Sequence, residues 1–562
     1  MRWEGRGLKT WKDRLPSPPL LAVLAAAVIM LATLFLPPVV GMADNGDFFR
    51  VIDDAGLYKF DRYEKDQYFN YFAKEFGVFQ YFKEYGEPFF SSQMPFVRAA
   101  MHLDRLFTGD SGVFDVRFLG ALFCLWGLLA IYLLVDYAAY GRPRSEGYLI
   151  AALAVFFFAD TGYIAYFNSF FAEGLVMVSF LTCLASILLI DQHRYNPYLL
   201  LAVFFVSGLV LCSAKQQNAP LGFLLAGLLA CMAFRYQKYE RLWRSVRREG
   251  NVLYITPPVD APDFWEQERA QLQKLRAALG RRGPRRWIRE RFGRERRERR
   301  HFKKAALLLS ALLALSGAAV YLLIPQEFVN INKYHAMTRG VLMTSQNPEE
   351  AVGEFGIDPQ YALLDRTIYF DHYPPVDVEG AELRENFYPK YGFVSISLYY
   401  LRHPGELMQM IDYAARSAYA IRPEAMGNYE RSAGRDPGAR DYTFALHSSL
   451  KQALTPRTVG YMFIWIAVVL LCGMRERWRT LVLAFAILMG LSQFGVSIIG
   501  AGDADLSKHV FLYNVAYDFT NFIVISTVLV PSLSARRAKK RQGGPALTGE
   551  RRGDKQREEA TV

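Results

Sequence analysis

The apolar residues of this chain fall into long continuous runs that are separated by charged segments. Ten runs predict helices of about 17–23 residues, enough to cross roughly 30 Å of hydrocarbon. The predicted spans are 19–40, 116–138, 147–164, 172–190, 197–213, 219–235, 304–324, 457–473, 480–499 and 510–531. The third is the least regular of them, because Asp160 interrupts it. The pattern therefore predicts an all-α polytopic membrane protein, a bundle of about ten transmembrane helices.

The polar segments between the runs divide the chain into parts. The predicted organisation is an N-terminal membrane core 1–235 with a first large loop 42–115, a basic loop 236–303, one transmembrane helix 304–324, a second large loop or small domain 325–456, C-terminal membrane helices 457–531 and a disordered basic tail 532–562.

The charge distribution sets the expected orientation. The chain is 52% hydrophobic with a net charge of +12, and its basic residues concentrate between Arg281 and Lys304 and again after the last span. Basic segments stay on the cytoplasmic side, facing an anionic leaflet. We therefore expect a cell-membrane protein with both termini in the cytoplasm and loops 42–115 and 325–456 outside. No nucleic-acid motif accompanies the basic clusters, so nucleic acid is not an expected partner.

The first large loop is rich in aromatic residues between Tyr68 and Tyr85, interleaved with lysine and glutamate. Amphipathic rings with interspersed charge suit the membrane interface. We therefore expect an interfacial helix in this region.

With this topology, polar residues from four separate segments collect at the outer ends of the spans. They are Asp44, Asn45, Asp47 and Arg50 after the first span, Asn168 and Glu173 before the fourth, Lys215 and Gln216 after the fifth, and Asp503, Asp505, Lys508 and His509 before the tenth. Ionisable residues at membrane depth are candidates for function. Their clustering carries more weight than any one of them.

Each of these residues also has a structural interpretation. Asp44 or Asp47 could cap a short helix, and Glu173 could favour the dipole at the start of the fourth span. Lys215 and Lys508 could extend to the interface without binding anything.

The chemistry of the set suggests a division of roles. Lys215, Lys508, His509 and Arg50 could supply cations to a lipid-linked phosphate, and an aspartate could accept the proton of an acceptor hydroxyl. Carboxylates would also stabilise an oxocarbenium-like transition state. No metal is required by the pattern, but if a divalent ion such as Mg²⁺ or Mn²⁺ is used, Asp503 and Asp505 are its expected ligands.

Three segments resemble a known family. The topology and the acidic first loop look like GT-C glycosyltransferases, multispan enzymes that take sugars from polyprenyl-phosphate donors. More narrowly, segments 45–50, 166–173 and 502–509 resemble the bacterial glycan-biosynthesis hexose transferases of the WsfD type, which are linked to surface-layer glycan assembly. The resemblance implies that a first-loop aspartate is catalytic, with Asp47 the better match and Asp44 its rival. The basic loop has no counterpart in this pattern.

The leading hypothesis is an inverting hexosyltransferase that uses a polyprenyl-phosphate-linked sugar donor and a glycan or glycolipid acceptor at the bilayer surface. A lipid-linked glycan flippase or transporter is one alternative, since it would also handle a lipid-linked sugar. A glycan polymerase or ligase is another, and only the donor would distinguish it.

Overall fold

The structure is a computed structural model that describes residues 15–60, 67–79, 91–236, 246–249, 252–255, 284–324, 326–370, 375–424, 426–504 and 506–534. The predicted tail therefore lies almost entirely outside the described residues, as does much of the basic loop.

Helices dominate the described chain. In order, the α-helices are α1 (Pro18–Leu34), α2 (Phe49–Ala55), α3 (Met94–Thr108), α4 (Arg117–Ala139), α5 (Arg144–Phe158), α6 (Thr161–Ile164), α7 (Glu173–Gln192), α8 (Pro197–Ser213), α9 (Leu221–Arg235), α10 (Pro284–Leu322), α11 (Gln326–Ala336), α12 (Leu342–Thr344), α13 (Pro348–Glu354), α14 (Ala381–Asn386), α15 (Phe393–Arg402), α16 (Pro404–Ser417), α17 (Leu446–Leu454), α18 (Val459–Gly473), α19 (Arg477–Ala501), α20 (Leu506–His509) and α21 (Phe511–Val524). The strands are β1 (Leu57–Tyr58), β2 (Glu75–Val78), β3 (Val113–Asp115), β4 (Val246–Glu249) and β5 (Val252–Ile255).

The described residues contain six helices that are long and apolar enough to cross a membrane, or up to eight if each of two bent pairs is one span. The predicted all-α polytopic membrane protein is therefore confirmed. The predicted first and fifth spans are the 17-residue helices α1 and α8, which fall outside that set. A helix of that length rises about 26 Å, slightly less than the roughly 30 Å hydrocarbon thickness.

Helix α7 lies at the centre of the bundle, because every residue from Glu173 to Ile190 is buried. It packs against α4, α8, α19 and α21. Helix α10 packs closely on α9, where a Cβ on Gly317 would lie 2.5 Å from the carbonyl oxygen of Ala219. Small residues at such crossings let two helix backbones approach each other.

Asp160 marks a real break in the third predicted span. Helices α5 and α6 are bent at this point, and the span from α5 to Phe167 turns by 45°. One carboxylate oxygen of Asp160 accepts from the backbone N–H of Gly162 at 2.7 Å, and the other accepts from that of Ser448 at 3.0 Å. The acid therefore caps α6 and joins it to α17.

The aromatic stretch of the first loop corrects one expectation, because its described part forms a strand instead of an interfacial helix. Strand β2 pairs antiparallel with β1 and β3, with Leu57 opposite Val78 and Glu75 opposite Asp115. Phe72 and Phe76 are buried. The cause is tertiary: β2 finds two strand partners, and burial of its aromatic rings overrides the pattern read along the sequence. Residues 80–90 of this stretch lie outside the described residues.

The two ends of the bundle differ in charge, because the basic stretch 297–304 lies at one of them, with Lys303 over the ring of Phe234. At one end, which we call the basic end, Arg194 pairs with Asp136 at 2.8 Å and Arg235 pairs with Asp191 at 2.9 Å. The opposite end, the polar end, is formed by the last residues of α8 and α19 and the first residues of α7 and α21. The candidate site residues lie there.

Candidate active site

A short extended segment leads from α1 into the first candidate residues, and the second large loop holds it in place. The N–H of Gly41 donates to the carbonyl of Asn428 at 3.0 Å, and that of Ala43 donates to the carbonyl of Gly427 at 2.9 Å. Val40 forms a β-bridge with Tyr429. The two large loops are therefore joined directly before Asp44.

A buried amide and a buried guanidinium support this junction. The Asn428 side chain donates to the carbonyl of Gly41 at 2.7 Å and accepts from Arg422. Arg422 also donates to the carbonyl of Asp441 at 2.8 Å. Buried charge is retained only where hydrogen bonds satisfy it, so Asn428 links the candidate loop to a fixed cation.

Asp44 organises the turn and is fully engaged in doing so. One oxygen accepts from the N–H groups of Gly46 at 2.8 Å and Phe48 at 3.1 Å, and the other binds the ammonium of Lys59. Gly46 has a φ of 103°, which side-chain-bearing residues rarely adopt. Of the two aspartates that could have a structural role in this turn, it is therefore Asp44 that has one.

Asp47 points elsewhere and makes a long-range ion pair. Its carboxylate binds the ammonium of Lys508, which precedes α21, and its other oxygen lies 3.4 Å from Arg50. Burial alone would raise the pKa of Asp47, but Lys508 and Arg50 outweigh it and hold this pKa well below its usual range. The ammonium of Lys508 also lies 4.5 Å from the ring centroid of Phe171.

A second carboxylate–lysine pair lies beside the first. Glu173 is the first residue of α7 and is almost completely buried, at 1% exposure. Its Oε1 binds the ammonium of Lys215, which follows α8. Its Oε2 has no hydrogen-bond partner among the described residues. A buried carboxylate oxygen without a donor can accept a hydrogen bond from a ligand.

Both lysines line one open cavity at the polar end of the bundle. Its polar lining is Glu173, Lys215, Gln217, Asn218, Gln493, Lys508 and His509. Asp47 borders the cavity through Lys508. The structure therefore brings four of the sequence-predicted residues to the cavity wall, namely Glu173, Lys215, Lys508 and His509, and places Asp47 next to them.

The surroundings of His509 favour its neutral form over the cation expected from the sequence. Burial, assisted by the nearby ammonium groups of Lys215 and Lys508, lowers the pKa of His509 to about 3. Its Nδ1 lies 2.6 Å from Oε1 of Gln217, whose amide nitrogen donates to Gln493 at 2.6 Å. An uncharged imidazole can orient a substrate but adds no charge to the cavity.

Two predicted residues are occupied by the scaffold. Asn168 is fully buried, and its amide donates to the carbonyls of Leu34 and Val40 at 2.8 Å each. It ties the end of α1 to the segment before α7, and its assignment to substrate binding stays a prediction. Asp503 likewise binds Arg339 through both oxygens, at 2.6 and 2.9 Å.

The remaining predicted residues are close to the site or outside the described chain. Asn45 accepts from the N–H of Asp47 at 3.3 Å and so shapes the loop. Gln216 starts a 3₁₀ turn, and its neighbour Gln217 lines the cavity in its place. Asp505 lies outside the described residues. The parts of the chain that are described contain no group of three or more His, Cys, Asp or Glu that could hold a metal ion, so the expected divalent ion stays a prediction.

One ionic cluster was missed at the sequence level. Asp518 of α21 is fully buried and binds Lys451 at 2.8 Å and His447 at 3.0 Å, and the hydroxyl of Tyr163 also donates to it. Asp518 could have been noticed in the sequence, because an acid within an apolar run is a candidate for function. Its partners come from α17, a helix outside the predicted spans. The cluster joins α17 and α6 to α21.

These features define a polytopic all-α membrane protein with a charged cavity at one end of its helices. The chain belongs to the family of the YfdI N-terminal transmembrane domain, whose model matches residues 6–268 and 290–544. None of the curated proteins matches it. Among solved structures, it is similar to the archaeal oligosaccharyltransferase AglB from Archaeoglobus fulgidus in complex with an inhibitory peptide and a dolichol-phosphate, with a TM-score of 0.36 and 10% identity. That likeness covers 96% of this chain and 53% of the archaeal protein, so the chain spans about half of its length.

Proposed function

We propose that this protein is a GT-C-type glycosyltransferase. It would move a hexose from a polyprenyl-phosphate donor to a glycan or glycolipid acceptor on the outer face of the cell membrane. The observation that carries the proposal is the convergence of two carboxylate–lysine pairs on one cavity at the end of the membrane helices. The family to which the chain belongs and the resemblance of its motifs to GT-C enzymes support the same class. The narrower likeness to hexose transferases of the WsfD type is part of this proposal.

The charge of the site favours a particular donor. Arg50, Lys215 and Lys508 face Asp47 and Glu173, and His509 is neutral, so the described ionic groups leave one net positive charge. A sugar linked through a single phosphodiester carries one negative charge, whereas a diphosphate carries more. Charge complementarity therefore favours a monophosphate-linked sugar over the diphosphate-linked glycans that a polymerase or ligase would use.

The reaction follows from the positions of the ionic groups. The acceptor oxygen forms a bond to the anomeric carbon while the bond from that carbon to the phosphate oxygen breaks. Asp47 takes the proton of the acceptor hydroxyl, and the lysines neutralise the charge left on the departing phosphate. Attack opposite the leaving phosphate inverts the anomeric centre.

The proposed orientation rests on the segregation of charge. The basic stretch 297–304 near the start of α10 lies at the basic end, where Lys303 is 3.9 Å from the ring centroid of Phe234, and the cavity lies at the other end. The positive-inside rule then places the basic end and both termini in the cytoplasm of a cell and the cavity outside.

Purified protein with a panel of polyprenyl-phosphate hexoses, each assayed with and without a chelator, tests the function and its metal dependence. Asp47→Asn should remain folded and lose transfer. Asp44→Asn should lower transfer without abolishing it, because an asparagine oxygen can still accept the two backbone N–H groups of the turn. Full transfer by Asp47→Asn would remove Asp47 from the chemistry.

A further inference from the structure

The two carboxylate–lysine pairs at the cavity share one arrangement. In each, a lysine that lines the cavity is held by a carboxylate from a different segment: Lys508 by Asp47, and Lys215 by Glu173. The four partners come from four separate parts of the chain. The charge of each lysine is therefore already neutralised by a carboxylate, which weakens its attraction for an incoming anion.

Two further polar atoms, one in a pair and one beside a pair, can accept or donate an additional hydrogen bond. Glu173 Oε2 and Arg50 Nε are buried and have no hydrogen-bond partner in the described parts of the chain. Arg50 reaches Asp47 only through its terminal nitrogen, at 3.4 Å. Buried polar atoms without partners are rare in folded proteins, and a ligand commonly supplies the missing bond. Glu173 Oε2 therefore offers an acceptor at the cavity wall, and Arg50 Nε offers a donor next to Asp47.

An anionic ligand would compete with the two carboxylates for the ammonium groups of the lysines. A phosphate oxygen is a strong acceptor for ammonium groups, and a phosphate between two lysines could bind both of them. Each lysine would then exchange one anionic partner for another, and Asp47 would keep Arg50, 3.4 Å away, as its cationic partner.

Building on the proposed function, we propose that Asp47 and Glu173 are internal counter-ions which release Lys508 and Lys215 to the phosphate of the bound donor. Release of Lys508 leaves one oxygen of Asp47 open beside the reacting sugar, while the other stays 3.4 Å from Arg50. The donor thereby activates the base that its own transfer requires, and the base stays blocked while the cavity is empty.

The exchange predicts that removing a charged residue at the site tightens phosphate binding, whereas removing an ordinary binding residue weakens it. Removing the charge of a counter-ion frees a lysine, so Glu173→Gln and Asp47→Asn should each bind phosphate more tightly, by about tenfold, which corresponds to about 1.4 kcal/mol. Asp47→Asn should therefore bind the donor phosphate better while it transfers no sugar. Lys215→Met and Lys508→Met should each bind more weakly.

The experiment measures binding of a short-chain prenyl phosphate to the full-length protein in detergent micelles by calorimetry, with inorganic phosphate in parallel. A double-mutant cycle gives the decisive comparison: Glu173→Gln should tighten binding when Lys215 is present and have no effect in the Lys215→Met background. Glu354→Gln is the control. Glu354 pairs with Arg402 at a distance of 3.1 Å and does not line the cavity, so this substitution should leave binding unchanged. Thermal melts check that each variant is folded.

The outcomes separate the exchange from the function beneath it. If the lysine variants bind weakly but neither carboxylate variant tightens, the exchange is overturned and the phosphate site stands. If the lysine variants bind prenyl phosphate as well as the unmodified protein, the phosphate site and the proposed function fall together. Tightening seen with inorganic phosphate but not with prenyl phosphate would overturn the assignment to a lipid-linked donor.

Discussion

The ion pair between Asp47 and Lys508 should contribute measurably to stability, and a double-mutant cycle over Asp47→Asn and Lys508→Met isolates its contribution. The side chain of Lys508 is 7% exposed and that of Asp47 is 31% exposed, so the pair is partly desolvated. Two unit charges in contact at about 3 Å attract by about 5 kcal/mol at an effective dielectric constant of about 20. Desolvation of the lysine offsets much of this, and we expect a net coupling of about 1–3 kcal/mol.

The assay is unfolding of the purified protein in detergent at neutral pH for both single variants and the double variant. The matched control is the pair of Arg416 and Asp412, 2.7 Å apart but 67% and 37% exposed, which should couple by only about 0.3–0.5 kcal/mol. A coupling for Asp47 and Lys508 that is no larger than the control would refute the view that this pair is shielded from solvent.

The same reasoning fixes the pH dependence of the pair. The folded-state pKa of Asp47 is depressed below its unfolded value of 3.8. Its stabilisation is therefore complete above that value and is lost as the pH falls towards the folded-state pKa. The coupling should thus be constant from about pH 5 to pH 8. A loss of coupling within that window would contradict the depressed pKa.

Three further predictions concern the surroundings of the site. Asn428→Ala should destabilise the protein by about 3 kcal/mol in thermal melts, because it removes a fully buried amide that satisfies the buried Arg422; an unchanged melting temperature would contradict this. Gly317→Ala should cost about 1–3 kcal/mol, since its methyl group would strike a backbone carbonyl, whereas Gly495→Ala meets nothing within 4 Å and serves as the tolerated control. Because burial lowers the pKa of His509 to about 3, the unfolded chain binds a proton that the folded chain does not, and stability should fall as the pH drops from about 6.5 to about 3. His509→Gln should lack this component, and a variant with the same acid sensitivity as the unmodified protein would contradict the assignment.

The apolar runs determined the helical membrane architecture, because hydrophobicity over about 20 residues is a local property that the bilayer reads directly. Asp160 predicted a break for the same reason, since its charge interrupts an apolar run. The parity of the spans placed Glu173, Lys215 and Lys508 at one end, because helices joined by short turns alternate in direction. The sequence therefore reached the location of the site and most of its charged residues.

The sequence did not predict which residues of the site pair with each other. Asp47 and Lys508 are separated by 461 positions, and only the packing of α19 and α21 against α7 brings them together. Tertiary contacts also separated Asp44 from Asp47, by committing the first to its own turn and leaving the second to the long-range pair.

Other residues have roles in the fold because the folded chain supplies partners that no local pattern shows. Asn168 was taken up by the carbonyls at the end of α1, and Asp503 by Arg339. His509 favours its neutral form because it is enclosed beside two lysines, and the aromatic residues around Phe76 joined a sheet because two strands flank them. The sequence by itself determined which residues lie at the polar end of the membrane helices; the tertiary structure decided which of them are paired, neutral or left with bonding capacity, because charge and hydrogen bonding depend on neighbours that packing alone brings together.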